Sequence, residues 1–386
     1  MDALILSCGT GGGHNSAASA ISEELTRRGH RATVLNPYEL RSKKMAEKIN
    51  NFYIKPVQKA PTVFGAVYNA GQLYRRLPVR SPVYFANYGM ISPMEEYLSR
   101  NHFDIIITTH LFPAEILTCM KRKGTHIPKT VFIATDYTCI PFTEETECDA
   151  YIIPSDKLKE TFADCGLPDE KLYPLGIPVH RRFSQKESGQ AACKRLGLAP
   201  DKRYILAAGG SMGGGSIKRL IYTLADEAAM RKDTELIVIC GSNKRMYDEL
   251  KKQDLSGVTV VGFTLDMAEY MKAADLFVTK PGGLSSTEAA VCGIPLIHVA
   301  PIPGCETYNA RFFSDYGMSR YCHTSDDELA DALKILDSEA ERDAMIRNQR
   351  KMIRSDAAGR ISDLAERMTL SSQEASVMNV EICLSE

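Results

Sequence analysis

The chain has 386 residues, enough for two domains that each bury a core of their own. Hydrophobic residues make up 44% and charged residues 25%, with 27 Gly and 18 Pro, which excludes a disordered, collagen-like or low-complexity chain. The 47 Lys and Arg nearly cancel the 48 Asp and Glu, and a net charge of −1 gives no general reason to expect nucleic acid as a partner.

The eleven cysteines are an odd number without a CxxC pair or zinc-ligand spacing, as expected of reduced, buried thiols in a cytoplasmic protein. The opening MDALILSCG lacks the basic region and long apolar stretch of a signal peptide. No run of 18 apolar residues occurs, so no membrane span is expected.

In chain order, short β-rich runs at Ala3 to Ser7, Thr33 to Leu35, Asp104 to Thr108, Thr130 to Ala134 and Ala150 to Ile153 alternate with helix-period segments. The rhythm restarts after Gly176-Ile177-Pro178, at Tyr204 to Ala208, Glu235 to Cys240, Val258 to Val261, Leu276 to Thr279 and Pro295 to His298. Repeated βα units predict an α/β protein of two Rossmann-like domains with parallel sheets, facing a central cleft. The expected division is 1–176, 177–355, and a C-terminal helix with a loose tail over 356–386. The segment 176–200 reads as linker. Ile361, Leu364, Ala365 and Met368 give the last helix an apolar stripe.

Residues 41–90 break the pattern, with nine Lys or Arg against one acid, Glu47: a net +8 that leaves −9 for the rest. Eight of the thirty aromatics lie there too. Basic and aromatic residues together suggest an anionic lipid surface, with Lys55, Lys59, Phe64, Tyr68, Arg75, Arg76 and Arg80 as the docking residues. The bland alternative packs Phe64 and Tyr68 into the core and leaves the cations solvated.

The first βα turn, Gly9-Thr10-Gly11-Gly12-Gly13-His14, satisfies only part of a dinucleotide fingerprint, and the next strand ends without an acid for a ribose. His14 stands at the mouth of a strand-to-helix turn, where a base near neutral pKa can meet a hydroxyl. The loop Gly209-Gly210-Ser211-Met212-Gly213 lacks the GK[ST] ending of a P-loop and offers backbone donors to phosphate. Lys280-Pro281-Gly282-Gly283-Leu284-Ser285-Ser286-Thr287-Glu288 opens another helix, suited to a second phosphate and a ribose; the alternative is a Ser285–Glu288 capping box. Glu306 and Asn309, three apart after Pro303-Gly304-Cys305, suit sugar hydroxyls. No D-x-D triplet occurs, so no metal is expected on the diphosphate and no cofactor beyond the co-substrate.

Taken together, Gly11-Gly12-Gly13-His14, Gly209-Gly210-Ser211-Met212-Gly213, Lys280-Pro281-Gly282-Gly283 with Glu288, and Pro303-Gly304-Cys305-Glu306 resemble the monogalactosyldiacylglycerol synthase and processive diacylglycerol glucosyltransferase family. That family is related to the lipid-linked N-acetylglucosaminyl transferase of peptidoglycan synthesis. The resemblance implies a GT-B fold and an inverting transfer of glucose or galactose from UDP-glucose or UDP-galactose to diacylglycerol, at the inner face of the cell membrane. It implies that the 209–213 loop, Gly282, Gly283, Ser285 and Ser286 meet the phosphates, Phe263 the uracil, Glu288 the ribose, and Glu306 and Asn309 the sugar. Gly12 and Gly13 would face the acceptor, with His14 as base and Asp136 orienting it or serving as the base itself. The chain departs from the family at Thr138-Cys139-Ile140-Pro141-Phe142, where many members carry His and Trp, and at Cys305, where relatives often have Gln. A UDP-sugar epimerase or hydrolase on the same scaffold, and a non-catalytic nucleotide-sugar sensor, are the rival readings.

Overall fold

A computed structural model describes residues 1–9, 12–47, 61–75, 79–209, 215–322 and 326–384, with side chains described except at 61–64, 215–218, 326 and 371–384. The chain divides into two compact units, residues 1–51, 70–180 and 356–386 forming the first and 52–69 and 181–355 the second.

The first unit holds a six-stranded parallel sheet of β1 (Asp2–Leu6), β2 (Arg31–Leu35), β3 (Ile105–Thr108), β4 (Lys129–Ile133), β5 (Ala150–Ile152) and β6 (Leu172–Tyr173). Its order is β2-β1-β3-β4-β5-β6. The central strands β1, β3 and β4 are mostly apolar runs because both faces are covered and side chains alternate between them, whereas the edge strand β2 is largely exposed. Ala3, Ile5, Ile105, Ile107, Val131 and Ile133 point to one core, while Leu4, Leu6 and Ile106 point to the other.

The first core is closed by α1 (Gly12–Arg27), through Ala18, Ile21 and Leu25, and by the C-terminal helix Ala357–Leu384, through Ile361, Leu364 and Ala365. Fully burying Ile361 and Leu364 contributes about 1.5–3 kcal/mol each. Arg28 of this unit adds bonds to Asp363 (2.6 Å) and the Gly359 carbonyl (2.9 Å). The last helix therefore packs in the first unit, and it runs on through the stretch after residue 371 that was expected to be loose.

The second unit repeats the plan with β7 (Arg203–Ala208), β8 (Thr234–Ile239), β9 (Val258–Val261), β10 (Leu276–Thr279), β11 (Leu296–Val299) and β12 (Arg320–Cys322), in the order β12-β11-β10-β7-β8-β9, all parallel. The expected linker is mostly structured: the boundary falls at His180/Arg181, and Ser188 and left-handed Gly197 (φ 69°) cap a helix over Gly189–Leu196. In each sheet the chain reverses direction of growth once, at β1/β3 and at β7/β10, and open parallel sheets bind ligands at the carboxyl ends of strands beside such a switch. No disulfide links the ten described cysteines.

Candidate active site

At the β1/β3 switch, His14 is the third residue of α1 and half-buried. Gly12, the first helical residue, is exposed, with nothing within 4 Å of where a Cβ would stand, so the backbone there is open to a ligand. The residue after β3 grips the histidine twice. His14 Nδ1 donates to the Thr109 carbonyl at 2.8 Å, and Thr109 Oγ1 donates to the His14 carbonyl at 3.0 Å. Thr135 Oγ1, beyond the end of β4, lies 2.9 Å from the same Nδ1. With its proton committed at Nδ1, the ring keeps Nε2 as acceptor, the tautomer a general base needs. Burial pushes the His14 pKa below its ordinary value, against the opposing pull of the Asp136 charge and the Thr109 carbonyl, so the ring is neutral at pH 7. Asp136, half-buried, lines the same small cleft as His14, with Thr138, Ile140 and Phe162.

A second imidazole belongs to this cluster. The His110 ring meets His14 edge to face at 4.5 Å, and its Nδ1 accepts from Phe112 N–H at 3.1 Å, capping the helix Leu111–Arg122. Burial holds it well below the usual histidine range, and a charged His14 would lower it further. Sequence reasoning missed His110, although Thr108-Thr109-His110 directly follows the apolar run of β3.

At the β7/β10 switch, Thr279 Oγ1 donates to the Ala208 carbonyl at 2.8 Å, so the turns after β7 and β10 emerge side by side. Gly209 is described and buried; Gly210, Ser211, Met212 and Gly213 lie outside the described residues. After β10 a helix begins at Gly283 with Gly282 as N-cap and no side-chain cap bond. Ser285 is thus the third helical residue, which removes the capping-box alternative. It stands half-buried, one turn from half-buried Glu288. Ser286 does not fit its expected place at the phosphates: fully buried, its hydroxyl meets His298 Nε2 at 2.9 Å. One residue along a helix is a rotation of about 100°, enough to turn Ser286 from ligand to core.

Glu306 and Asn309 both lie on the helix Cys305–Asp315, but only Glu306 keeps an open role. Its carboxylate accepts from Ile302 N–H at 2.7 Å and lies 3.6 Å from Lys280 Nζ. Asn309 is fully buried and donates to the Pro281 carbonyl at 3.0 Å, so it fixes the turn after β10 instead of meeting a sugar. Phe263, on the loop after β9, is 73% exposed, a bare aromatic face of the kind a base covers.

The basic segment is only partly as expected. Lys55, Lys59 and Arg76 lie outside the described residues, as does the Phe64 side chain. Arg75 is not a surface cation: its guanidinium forks onto Glu144 at 2.9 and 2.6 Å, with only 10% of its side chain exposed. Tyr68 is half-buried, its ring 6.5 Å from that of Tyr308 in the second unit. The exposed basic and large apolar residues of this segment described in the first unit are Arg41, Lys43, Lys44, Leu73, Val79, Arg80, Phe85 and Tyr88. Phe85 and Tyr88 share one face of the helix Pro82–Tyr88, and the Arg41 guanidinium lies beside Gly89 at its end. Among the described residues no helix is long and apolar enough to cross a membrane.

Residues 14–179 match the family model described as monogalactosyldiacylglycerol (MGDG) synthase, and residues 204–366 that of the glycosyltransferase family 28 C-terminal domain. The curated processive diacylglycerol beta-glucosyltransferase of Bacillus pumilus is 24% identical over 354 residues, 90% of each chain. That of Staphylococcus saprophyticus is 29% identical over 248 residues, 62% of this chain and 61% of that one. Among solved structures, Acinetobacter baumannii MurG aligns with a TM-score of 0.60 at 17% identity, over 95% of this chain and 99% of that one. The S. aureus MnaA–UDP co-structure aligns at 0.63 and 12% identity, over 94% and 95%. The likeness to these structures places the fold as GT-B.

Proposed function

We propose that this chain, a member of the MGDG synthase and processive diacylglycerol glucosyltransferase family of UDP-sugar-dependent glycosyltransferases, transfers a hexose with inversion to the free hydroxyl of diacylglycerol. The relatives are named for beta-glucosyl transfer, which makes UDP-glucose the first donor to try, with UDP-galactose beside it. The observation that carries the mechanism is the doubly held Nδ1 of His14. It leaves Nε2 to take the acceptor proton as the oxygen attacks C1 of the sugar and UDP departs. Asp136 favours the imidazolium that forms.

In the second unit, the uncapped start of the helix at Gly283 and the Lys280 ammonium supply positive potential for the departing diphosphate. Among the described residues no group of three or more His, Cys, Asp or Glu is placed to hold a metal, and this reading uses none. Gly12 and Gly13 face the acceptor, Phe263 stacks on uracil, Glu288 holds the ribose and Glu306 the sugar.

The membrane-docking surface in this reading is the exposed set around Phe85 and Tyr88 with Arg41, Lys43, Lys44 and Arg80, on anionic lipid at the inner face of the cell membrane. Each cation near such a surface contributes about 1 kcal/mol. The test is to incubate the protein with each UDP-hexose and anionic vesicles containing diacylglycerol, following UDP and glycolipid by mass spectrometry. A glycosyldiacylglycerol is expected. UDP without a lipid product would shift the reading to hydrolysis, and a changed sugar nucleotide to epimerisation.

A further inference from the structure

We infer that Gly65 and Tyr68, which the sequence places in the basic segment of the N-terminal half, are positioning residues for the turn that carries the donor-sugar carboxylate Glu306. The inference rests on the donor reading above.

Residues 52–69 belong to the second unit, together with 181–355. Within that unit the part of the helix Pro61–Tyr74 up to Asn69 is pressed onto the turn 302–304 at two reciprocal points. Gly65 is buried, and a Cβ added there would stand 2.5 Å from the Pro303 Cβ, so only hydrogen fits. One turn on, the Tyr68 ring covers Gly304: a Cβ on Gly304 would lie 3.0 Å from its Cγ and 3.1 Å from its Cδ2. Gly304 has φ 115° and ψ −132°, a conformation essentially closed to other residues. A glycine on the helix thus receives a proline, and a glycine on the turn receives a tyrosine.

The turn held this way aims Glu306. Its carboxylate is bound to the N–H of Ile302, at the start of the turn, and faces Lys280 across 3.6 Å. A shift of Pro303 and Gly304 moves the carboxylate away from where a sugar hydroxyl meets it. Gly209, Phe263 and Glu288, which this reading assigns to the nucleotide, lie after β7, after β9 and on the helix Gly283–Cys292, away from the turn 302–304 in the chain. Tyr68 and Gly65 therefore act on the sugar and not on UDP.

The experiment is calorimetric titration of the full-length protein with UDP and with UDP-glucose, for the wild type and for Gly65→Ala, Tyr68→Leu and Tyr68→Phe. Displacements of about 1 Å are large on the scale of productive positioning. Gly65→Ala and Tyr68→Leu are expected to weaken UDP-glucose on the order of tenfold and leave UDP within about twofold, while Tyr68→Phe, which keeps the ring, matches the wild type. The tyrosine pair decides the matter if Gly65→Ala fails to fold. Equal losses for UDP and UDP-glucose, or no loss for either, overturn the inference, as does a wild type that binds UDP-glucose no more tightly than UDP. Failure of the transferase reading is seen separately, as donor binding without glycolipid.

Discussion

Replacing His14 by Ala removes the imidazole held at 2.8 Å by the Thr109 carbonyl and at 2.9 Å by Thr135 Oγ1. Loss of a positioned general base lowers turnover by about 10²–10⁴, which at 1.36 kcal/mol per decade is about 2.7–5.4 kcal/mol of barrier. UDP affinity is expected to stay unchanged, because the residues assigned to the nucleotide belong to the other unit. Thr135→Val keeps the shape and deletes one of the two anchors; a net hydrogen bond of about 0.5–1.5 kcal/mol corresponds to about a two- to tenfold loss in kcat.

The pH profile provides a check on sign. Burial lowers the His14 pKa from 6.5, so the acid limb of kcat/KM in the wild type is expected below pH 6.5. Asp136→Asn removes the charge that raises this pKa, and the limb should move further down while activity at pH 7.5 persists. The assay is glycolipid formation at saturating donor, with calorimetric UDP binding alongside. Retention of more than about a tenth of kcat by His14→Ala would refute the assignment. Abolished activity in Asp136→Asn with a near-normal His14→Ala would make the carboxylate the base.

Three further outcomes follow from buried charge. Glu115 is fully buried with neither carboxylate oxygen bonded, and burial raises its pKa to about 8. It is protonated in the folded state and ionised in the unfolded chain between about pH 4.5 and 8, so it costs stability that grows as pH rises; Glu115→Met should stabilise by about 3 kcal/mol at pH 7 in denaturant titrations. His298 is the opposite case: buried between Ser286 and Ser319, its pKa is lowered to about 3, so the unfolded state takes the proton first as pH falls below 6.5. Its contribution should shrink by about 2 kcal/mol from pH 7 to pH 5, and His298→Gln should flatten that slope in calorimetry. Arg75→Met should destabilise by about 3 kcal/mol through the stranded Glu144 while leaving vesicle affinity intact, whereas Phe85→Ser with Tyr88→Ser should do the reverse in vesicle co-sedimentation. Loss of vesicle binding in Arg75→Met alone would restore it as a lipid contact.

All ten expected strands exist within a residue or two of their bounds, and most were legible because apolar runs buried on both faces leave little ambiguity; β2 and β9 are more exposed. β6 and β12, two and three residues long, were too short to carry a pattern. The glycine turns were legible for a related reason: a strand ending in glycines and followed by a helix has few other structures available. Facing within the helices was harder. The fold turns Ser286 inward with Ala289 and Ala290, and Asn309 inward with Phe312 and Phe313, three and four residues on, so the i, i+3, i+4 neighbours held a usable signal. Arg75 could not have been read, because its partner Glu144 lies 69 residues away and composition registers only an excess of charge. His110 and Thr135 are likewise brought to His14 by sheet order alone.

The return of the last helix to the first unit has a consequence for anyone cutting this chain. Both termini lie in one unit, where the Thr369 hydroxyl sits 3.5 Å from the Met1 sulfur, and residues 181–355 enter and leave it as an inserted cassette. Severing the chain at residue 180 would strip the first unit of Ile361, Leu364 and Ala365, and half-proteins made that way should be insoluble on the N-terminal side. A chimaera that trades donor preference with a relative needs two splice points, near 181 and 355, and must reckon with Gly65 and Tyr68 as outlying pieces of the cassette.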